Sequence, residues 1–136
     1  MSNSNLEKKS INLAGAAPNA HLYSQALVVG GMAYLSGVTG VDPSTGNLTE
    51  GTVGDRTTQI FKNISTILEA AGSQIDQTVK VGIYLTSMSD YKTMNDAYVK
   101  VFTQGAKPVR TCVAVKELPR GTDVEIEVIA IVNNSN

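Results

Sequence analysis

Apolar residues in this chain recur with two different periods, and the order in which the periods alternate restricts the fold more than any other feature of the sequence. Across residues 54–71, Ile60, Ile64, Ile67, Leu68 and Ala71 follow one face of an amphipathic helix, and Gly72 stands where a left-handed residue closes such a helix. A second helical stretch can be capped at Ser89-Asp90, carries Tyr91, Met94, Tyr98, Val101 and Phe102, and ends at Lys107-Pro108. Between them, residues 79–85 set Val79, Val81, Ile83 and Leu85 against Lys80, Gly82 and Tyr84, the pattern of a strand with one face on a core. The runs Ala26-Leu27-Val28-Val29 and Met32-Ala33-Tyr34-Leu35 flank Gly30-Gly31, a hairpin signal because both glycines take positive φ without steric cost. Asp42-Pro43-Ser44-Thr45-Gly46 marks a turn. Strands over residues 109–116 and about 123–132, linked by Leu118-Pro119-Arg120-Gly121, read as a closing hairpin. The order ββ, α, β, α, ββ predicts a two-layer α+β fold, with both helices on one face of a mixed sheet. The opposite face then needs its own cover, most simply self-association into a closed ring.

With 136 residues, 42% of them hydrophobic, the chain suits one domain and one core, preceded by a polar N-terminal tail over about residues 1–15. Eleven basic residues balance twelve acidic ones, and no basic run exceeds Lys8-Lys9, so neither nucleic acid nor an anionic membrane is expected as a partner. Small molecules and further copies of the chain remain. One cysteine can form neither an intramolecular disulfide nor a cysteine-rich metal site, and it suits a reducing compartment. The first fifteen residues hold no apolar stretch and no arginine, which argues against a targeting segment and makes the cytoplasm the expected location.

The candidate chemistry lies near the C-terminus. In Pro108-Val109-Arg110-Thr111-Cys112-Val113-Ala114-Val115, alternation sends Arg110, Cys112 and Ala114 to one face, and Val109, Thr111, Val113 and Val115 to the other, which reads as core. A hairpin closing at Pro119-Arg120 would put Cys112 or Ala114 opposite Glu125, and Arg110 opposite Glu127 or Ile129, all on one face. Two readings of Arg110 are open: an internal ion pair with Glu125 or Glu127, or a fork for a substrate carboxylate. Arg56 and Arg120 read as solvated. Either glutamate could orient a water and shuttle a proton, and the residues alone do not separate them. Cys112 reads as a small hydrophobe rather than a nucleophile, because His21, the only histidine, is remote in sequence and lies in a loop. Ser36-Gly37 ends the second strand, where a glycine either permits close approach of a ligand to the backbone or makes a simple bend. No phosphate-binding loop, metal-ligand spacing or dinucleotide fingerprint is present.

These motifs together resemble the RidA (YjgF) family of enamine/imine deaminases. The likeness runs from Ala16-Ala17-Pro18 nearly to Val132. It rests on the 108–115 segment, Leu118-Pro119 and Glu125-Ile126-Glu127-Val128-Ile129-Ala130, with support from Tyr23-Ser24-Gln25-Ala26, Leu35-Ser36-Gly37, Leu68-Glu69-Ala70-Ala71-Gly72 and Met94-Asn95-Asp96-Ala97-Tyr98. The resemblance implies a chorismate-mutase-like subunit, a homotrimer whose sheets form a central barrel, and three sites in the clefts between subunits. It also implies hydrolysis of reactive 2-imino acids, such as 2-iminobutanoate and 2-iminopropanoate, to 2-oxo acids and ammonia, a metabolite damage-control role. Carried over residue by residue, Arg110 would bind the substrate carboxylate with help from the backbone at Gly37, and Glu125 would position the attacking water. Cys112 would line the pocket beside Tyr23, Ser36, Asn95 and Tyr98. No metal or organic cofactor is implied, since an imine is already electrophilic. His21-Leu22 stands where the family commonly has Gly-Pro, and Val38 where a glutamine is usual, two departures that bear on substrate range. The alternatives are a non-catalytic trimeric small-molecule-binding or chaperone-like member of the same fold, and nuclease action on RNA, which the near-neutral charge disfavours.

Overall fold

A computed structural model describes residues 7–14 and 19–133. Ten elements follow in chain order: β1 (Lys9–Ile11), β2 (Ala26–Val29), β3 (Met32–Leu35), β4 (Val41–Asp42), β5 (Asn47–Leu48), α1 (Val53–Ala70), β6 (Thr78–Leu85), α2 (Tyr91–Tyr98), β7 (Val109–Ala114) and β8 (Val124–Ile131). Six strands form a mixed sheet in the order β1-β2-β3-β8-β6-β7, while β4 and β5 make a separate short ribbon. Both helices pack on one face of the large sheet, as the two apolar periods predict.

Local chemistry explains the elements. Gly30 and Gly31 adopt φ of +60° and +77°, the primed-turn geometry that lets β2 and β3 pair with Val29 opposite Met32. Thr52 and Asp55 form a reciprocal capping box at the start of α1, and Gly72, at φ +84°, lies just beyond its end. The apolar stripe of α1, with Ile60, Ile64 and Leu68 fully buried, meets Val81, Ile83 and Leu85 of β6 and Val124, Ile126 and Ala130 of β8 in the core. In α2 only Met94 is buried. This helix stops at Tyr98, short of the predicted end, and the turns that follow let Phe102 reach Phe61, with ring centroids 5.5 Å apart.

The predicted N-terminal tail contains β1, whose Ile11 packs against the core while Asn12 and Leu13 bond to Gln25. The Ala16-Ala17-Pro18 start of the family likeness lies outside the described residues. Arg56 is not solvated: its guanidinium donates to both carboxylate oxygens of Asp123 at 2.7 Å and to the carbonyls of Thr49 and Gly51, pinning the start of α1 to the start of β8.

β7 and β8 are not hydrogen-bonded neighbours, because β6 runs between them, parallel to β7 and antiparallel to β8. A central strand as apolar as β6 needs a ladder on both edges, and β7 supplies one through a helical crossover over α2. The link between β7 and β8 therefore spans the end of β6, with Arg120 held at φ +61°. The facing is also the reverse of the sequence reading. Arg110 and Cys112 pair with Val81 and Ile83 and share their helix-covered face, whereas Val109, Thr111 and Val113 pair with Lys80, Gly82 and Tyr84 on the open face. Val109 is 67% and Val113 43% exposed, so these residues are not core in a single copy. The open face also carries Tyr34, Ile129, Ile131, Glu125 and Glu127, and no described element covers it.

Candidate active site

The sequence-predicted residues fall into two groups, Arg110 and its neighbours on the helix-covered face, and the segment after β3 with Glu125, whose side chain leaves the open face. The first is built on β7 and α2. Arg110 donates from Nη1 to Asn95 Oδ1 at 2.7 Å and from Nη2 to Tyr91 Oη at 3.1 Å. Its guanidinium carbon sits 4.7 Å from the centroid of the Tyr98 ring and 5.6 Å from that of Tyr91. Tyr91, Asn95 and Tyr98 share one side of α2 because they are four and three residues apart. Asn95, Tyr98, Val99, Phe102, Lys107 and Arg110 line a cavity of about 260 Å³. No carboxylate pairs with Arg110 among the described residues, so the internal ion pair with Glu125 or Glu127 is not what the structure forms. A guanidinium stacked on rings and steered by two neutral oxygens keeps N–H groups free for an incoming anion.

Cys112 follows two residues along and packs against the core. Burial pushes its thiol up more strongly than nearby Arg110 pulls it down, which disfavours the nucleophilic thiolate. His21 is exposed in a turn.

The second group lies where the chain leaves β3. Val38 and Ile126 exchange two backbone hydrogen bonds, of 2.8 and 3.0 Å, and so hold the Ser36-Gly37 segment against β8. Gly37 makes room for Glu125 there: a Cβ at this position would stand 2.8 Å from Glu125 Cδ and 3.0 Å from its Oε1 and would push that carboxyl aside. Ser36 Oγ donates to the Ser24 carbonyl at 2.8 Å. Tyr23, Ser36, Gly37 and Val38 belong to the wall of a cavity of about 430 Å³ that reaches under the β4–β5 ribbon to Asn63 and Ile67 of α1.

Geometry separates the two glutamates that the sequence left equivalent. Glu127 is exposed and accepts a hydrogen bond from Tyr84 Oη at 2.8 Å. Glu125 is half-buried, accepts no hydrogen bond from a described residue, and has its carboxyl pushed up first by burial and then by the charge of Glu127. A carboxylate with raised proton affinity and free lone pairs is suited to take a proton from water.

Arg110 and Glu125 are not brought together. Through the registers Arg110 to Val81 and Val81 to Val128, Arg110 lies two strands and three residues from Glu125, about 14 Å between Cα atoms on strand spacings. Their side chains leave opposite faces. No group of three or more His, Cys, Asp or Glu among the described residues is placed to hold a metal, and no helix is long and apolar enough to cross a membrane. Sequence reasoning missed Tyr91 and Lys107 as neighbours of Arg110. The spacing of Tyr91, Asn95 and Tyr98 was the available signal, hidden because the aromatics read as a core stripe.

Residues 14–132 match the family model described as Endoribonuclease L-PSP. A RutC family protein of Aquifex aeolicus is 44% identical over 110 residues, covering 80% of this chain and 87% of that one. A mouse protein named 2-iminobutanoate/2-iminopropanoate deaminase is 41% identical over 128 residues, covering 94% of both chains. The crystal structure of YyfA from Yersinia pestis, of the conserved Rid protein family, superimposes with a TM-score of 0.86 at 38% identity, covering 93% of this chain and all of that one.

Proposed function

Because the chain belongs to the YjgF/RidA family that the Endoribonuclease L-PSP model describes, we propose that it hydrolyses reactive 2-enamine and 2-imino acids, 2-iminobutanoate and 2-iminopropanoate among them, to 2-oxo acids and ammonia. The observation that carries this reading is Arg110, a guanidinium with no acidic partner among the described residues, in the wall of a small cavity. The deaminase name of the mouse relative supports the same substrate class.

The opposed facing of Arg110 and Glu125 gives the proposal its architecture. Each site takes Arg110, Cys112, Asn95 and Tyr98 from one copy and Glu125, Gly37, Ser36 and Tyr23 from the next. The open sheet face, with Val109, Val113, Tyr34 and Ile131 exposed, supports a closed ring of three copies around a barrel of sheets. Charge placed there should open the ring. Val113→Glu is expected to sediment as a monomer at micromolar concentration and to lose imine hydrolysis, because an unpaired carboxylate would be buried in each interface. A catalytically active monomer would contradict the shared site.

In the proposed reaction Arg110 grips the substrate carboxylate with two parallel N–H groups, fixing the imine carbon. Glu125 accepts a proton from a water as its oxygen attacks that carbon, and passes the proton to nitrogen. In the carbinolamine the hydroxyl proton then moves to the amino nitrogen, again by way of Glu125, the C–N bond breaks as the C=O bond forms, ammonia leaves, and the 2-oxo acid remains. The substrate supplies the electrophile and the residues supply position and proton transfer.

The direct test generates 2-iminobutanoate with threonine dehydratase and follows ammonia and 2-oxobutanoate. Added protein should shorten the imine lifetime in proportion to its concentration. An unchanged lifetime at excess protein, with 2-oxo acid binding retained, would leave only the non-catalytic binding reading. Gly37→Ala tests the glutamate half. The added methyl displaces the Glu125 carboxyl, so kcat should fall on the order of 10²-fold, as it does for misplacements near 1 Å. The melting temperature should barely move, because only the far end of a flexible side chain must give way.

A further inference from the structure

The open sheet face carries one arrangement that the proposed reaction has not used. Gly82 lies directly opposite Glu127, and Tyr84 directly opposite Glu125, in the β6–β8 register. A Cβ on residue 82 would stand 3.1 Å from both Cγ and Oε1 of Glu127, so the Glu127 side chain lies flat across the bare backbone of Gly82. From there its Oε1 meets the Tyr84 hydroxyl at 2.8 Å. A glycine in the middle of a central strand weakens the sheet unless something occupies the space above it. Here that space is occupied by a carboxylate.

We infer that Glu127, held over Gly82 by Tyr84, is a positioning residue for Glu125: it fixes a second negative charge beside that carboxylate and so keeps Glu125 a strong enough base to deprotonate water. The inference rests on the deaminase reading of the site. In that reading Arg110 of the neighbouring copy approaches Glu125, and an adjacent guanidinium alone would make a carboxylate a poorer base. Glu127 opposes this effect. Its charge is the second cause, after burial, of the raised proton affinity of Glu125. The phenol of Tyr84 is itself pushed up, first by its hydrogen bond to Glu127, so it stays protonated and donating near neutral pH. The other polar groups of this face are farther away. Lys80 and Tyr34 both lie opposite Ile129, beyond Glu127, and the Ser36-Gly37-Val38 segment brings no ionisable side chain. Arg110 and Cys112 of the same copy are on the other face.

The test compares the wild type with Glu127→Gln, Tyr84→Phe and Gly82→Ala by carbon NMR titration of the Glu125 carboxyl and by the pH dependence of kcat/KM for imine hydrolysis. Sedimentation confirms that each variant keeps the wild-type assembly. Glu127→Gln removes the charge at constant shape. The Glu125 midpoint and the acidic limb of the rate profile should both move to lower pH by about half a unit, the effect of one charge roughly 7 Å away in a watery dielectric. Tyr84→Phe releases the Glu127 carboxylate, and Gly82→Ala pushes it aside without changing any charge. Both should move the same two readings part of the way in the same direction. An unchanged or raised Glu125 midpoint in Glu127→Gln overturns the inference. A wild type that hydrolyses no imine would bring down the deaminase reading and the catalytic role with it, while the NMR midpoints would still decide whether Glu127 sets the proton affinity of Glu125.

Discussion

Arg110→Ala is expected to lower kcat/KM for 2-iminobutanoate by about 10³-fold. Two charge-assisted hydrogen bonds to the substrate carboxylate, at roughly 2 kcal/mol each, account for that factor. Folding should be little affected, because among the described residues Arg110 has no ion-pair partner whose charge would be stranded, and Asn95 and Tyr91 sit where water can replace it. Arg110→Lys separates fork from charge: an ammonium keeps the attraction but cannot engage two oxygens in parallel, so it should recover only part of the loss. Steady-state rates with imine generated in place, alongside thermal melts, decide this. Full activity in Arg110→Ala would remove the carboxylate clamp.

Glu125→Gln should lower kcat by about 10²- to 10⁴-fold, the usual worth of a general base, while KM changes little. The amide fits the same space beside Gly37 and can still hold a water, but it cannot take the proton. Folding stability gives an independent reading of the same carboxyl. Its proton affinity is raised in the folded state, so ionisation of Glu125 costs stability above the folded pKa, and that cost disappears as pH falls through the folded pKa toward the ordinary carboxyl value. Glu125→Gln should therefore melt no lower than the wild type at neutral pH and lose its relative advantage in acid. A variant that melts well below the wild type at neutral pH would mean that the carboxylate is a structural partner instead.

Much of the fold was written in local chemistry. Gly30-Gly31 could hardly be anything but a tight hairpin, and the Ile60, Ile64, Ile67, Leu68 spacing selects one face of α1. What sequence could not supply was the identity of each strand's neighbour. A link such as Leu118-Pro119-Arg120-Gly121 can close a hairpin or step over an intervening strand, and only the burial of β6 on both edges decides for the second. Through Val81, Arg110 stands level with Val128 and not with Glu127 or Ile129, and that one-residue difference in register puts Glu125 on the opposite face from Arg110. The valines of β7 misled for a related reason: in one copy they lie on an uncovered face, and an apolar alternation looks the same whether its cover is a helix or another subunit. Glu125 and Glu127 were indistinguishable in the sequence because residues two apart on a strand share a face. Gly37 and Gly82, each making room for one of the two side chains, are what tell them apart.

In the proposed reaction one chain cannot complete its own site. The most direct measurement is activity in mixed assemblies of Arg110→Ala and Glu125→Gln chains, co-expressed or refolded together in equal amounts. A site is competent when its arginine comes from a Glu125→Gln copy and its glutamate from an Arg110→Ala copy, one half times one half, so the randomly mixed population should recover about a quarter of wild-type activity. Activity no greater than that of the separate variants would contradict a site shared between copies.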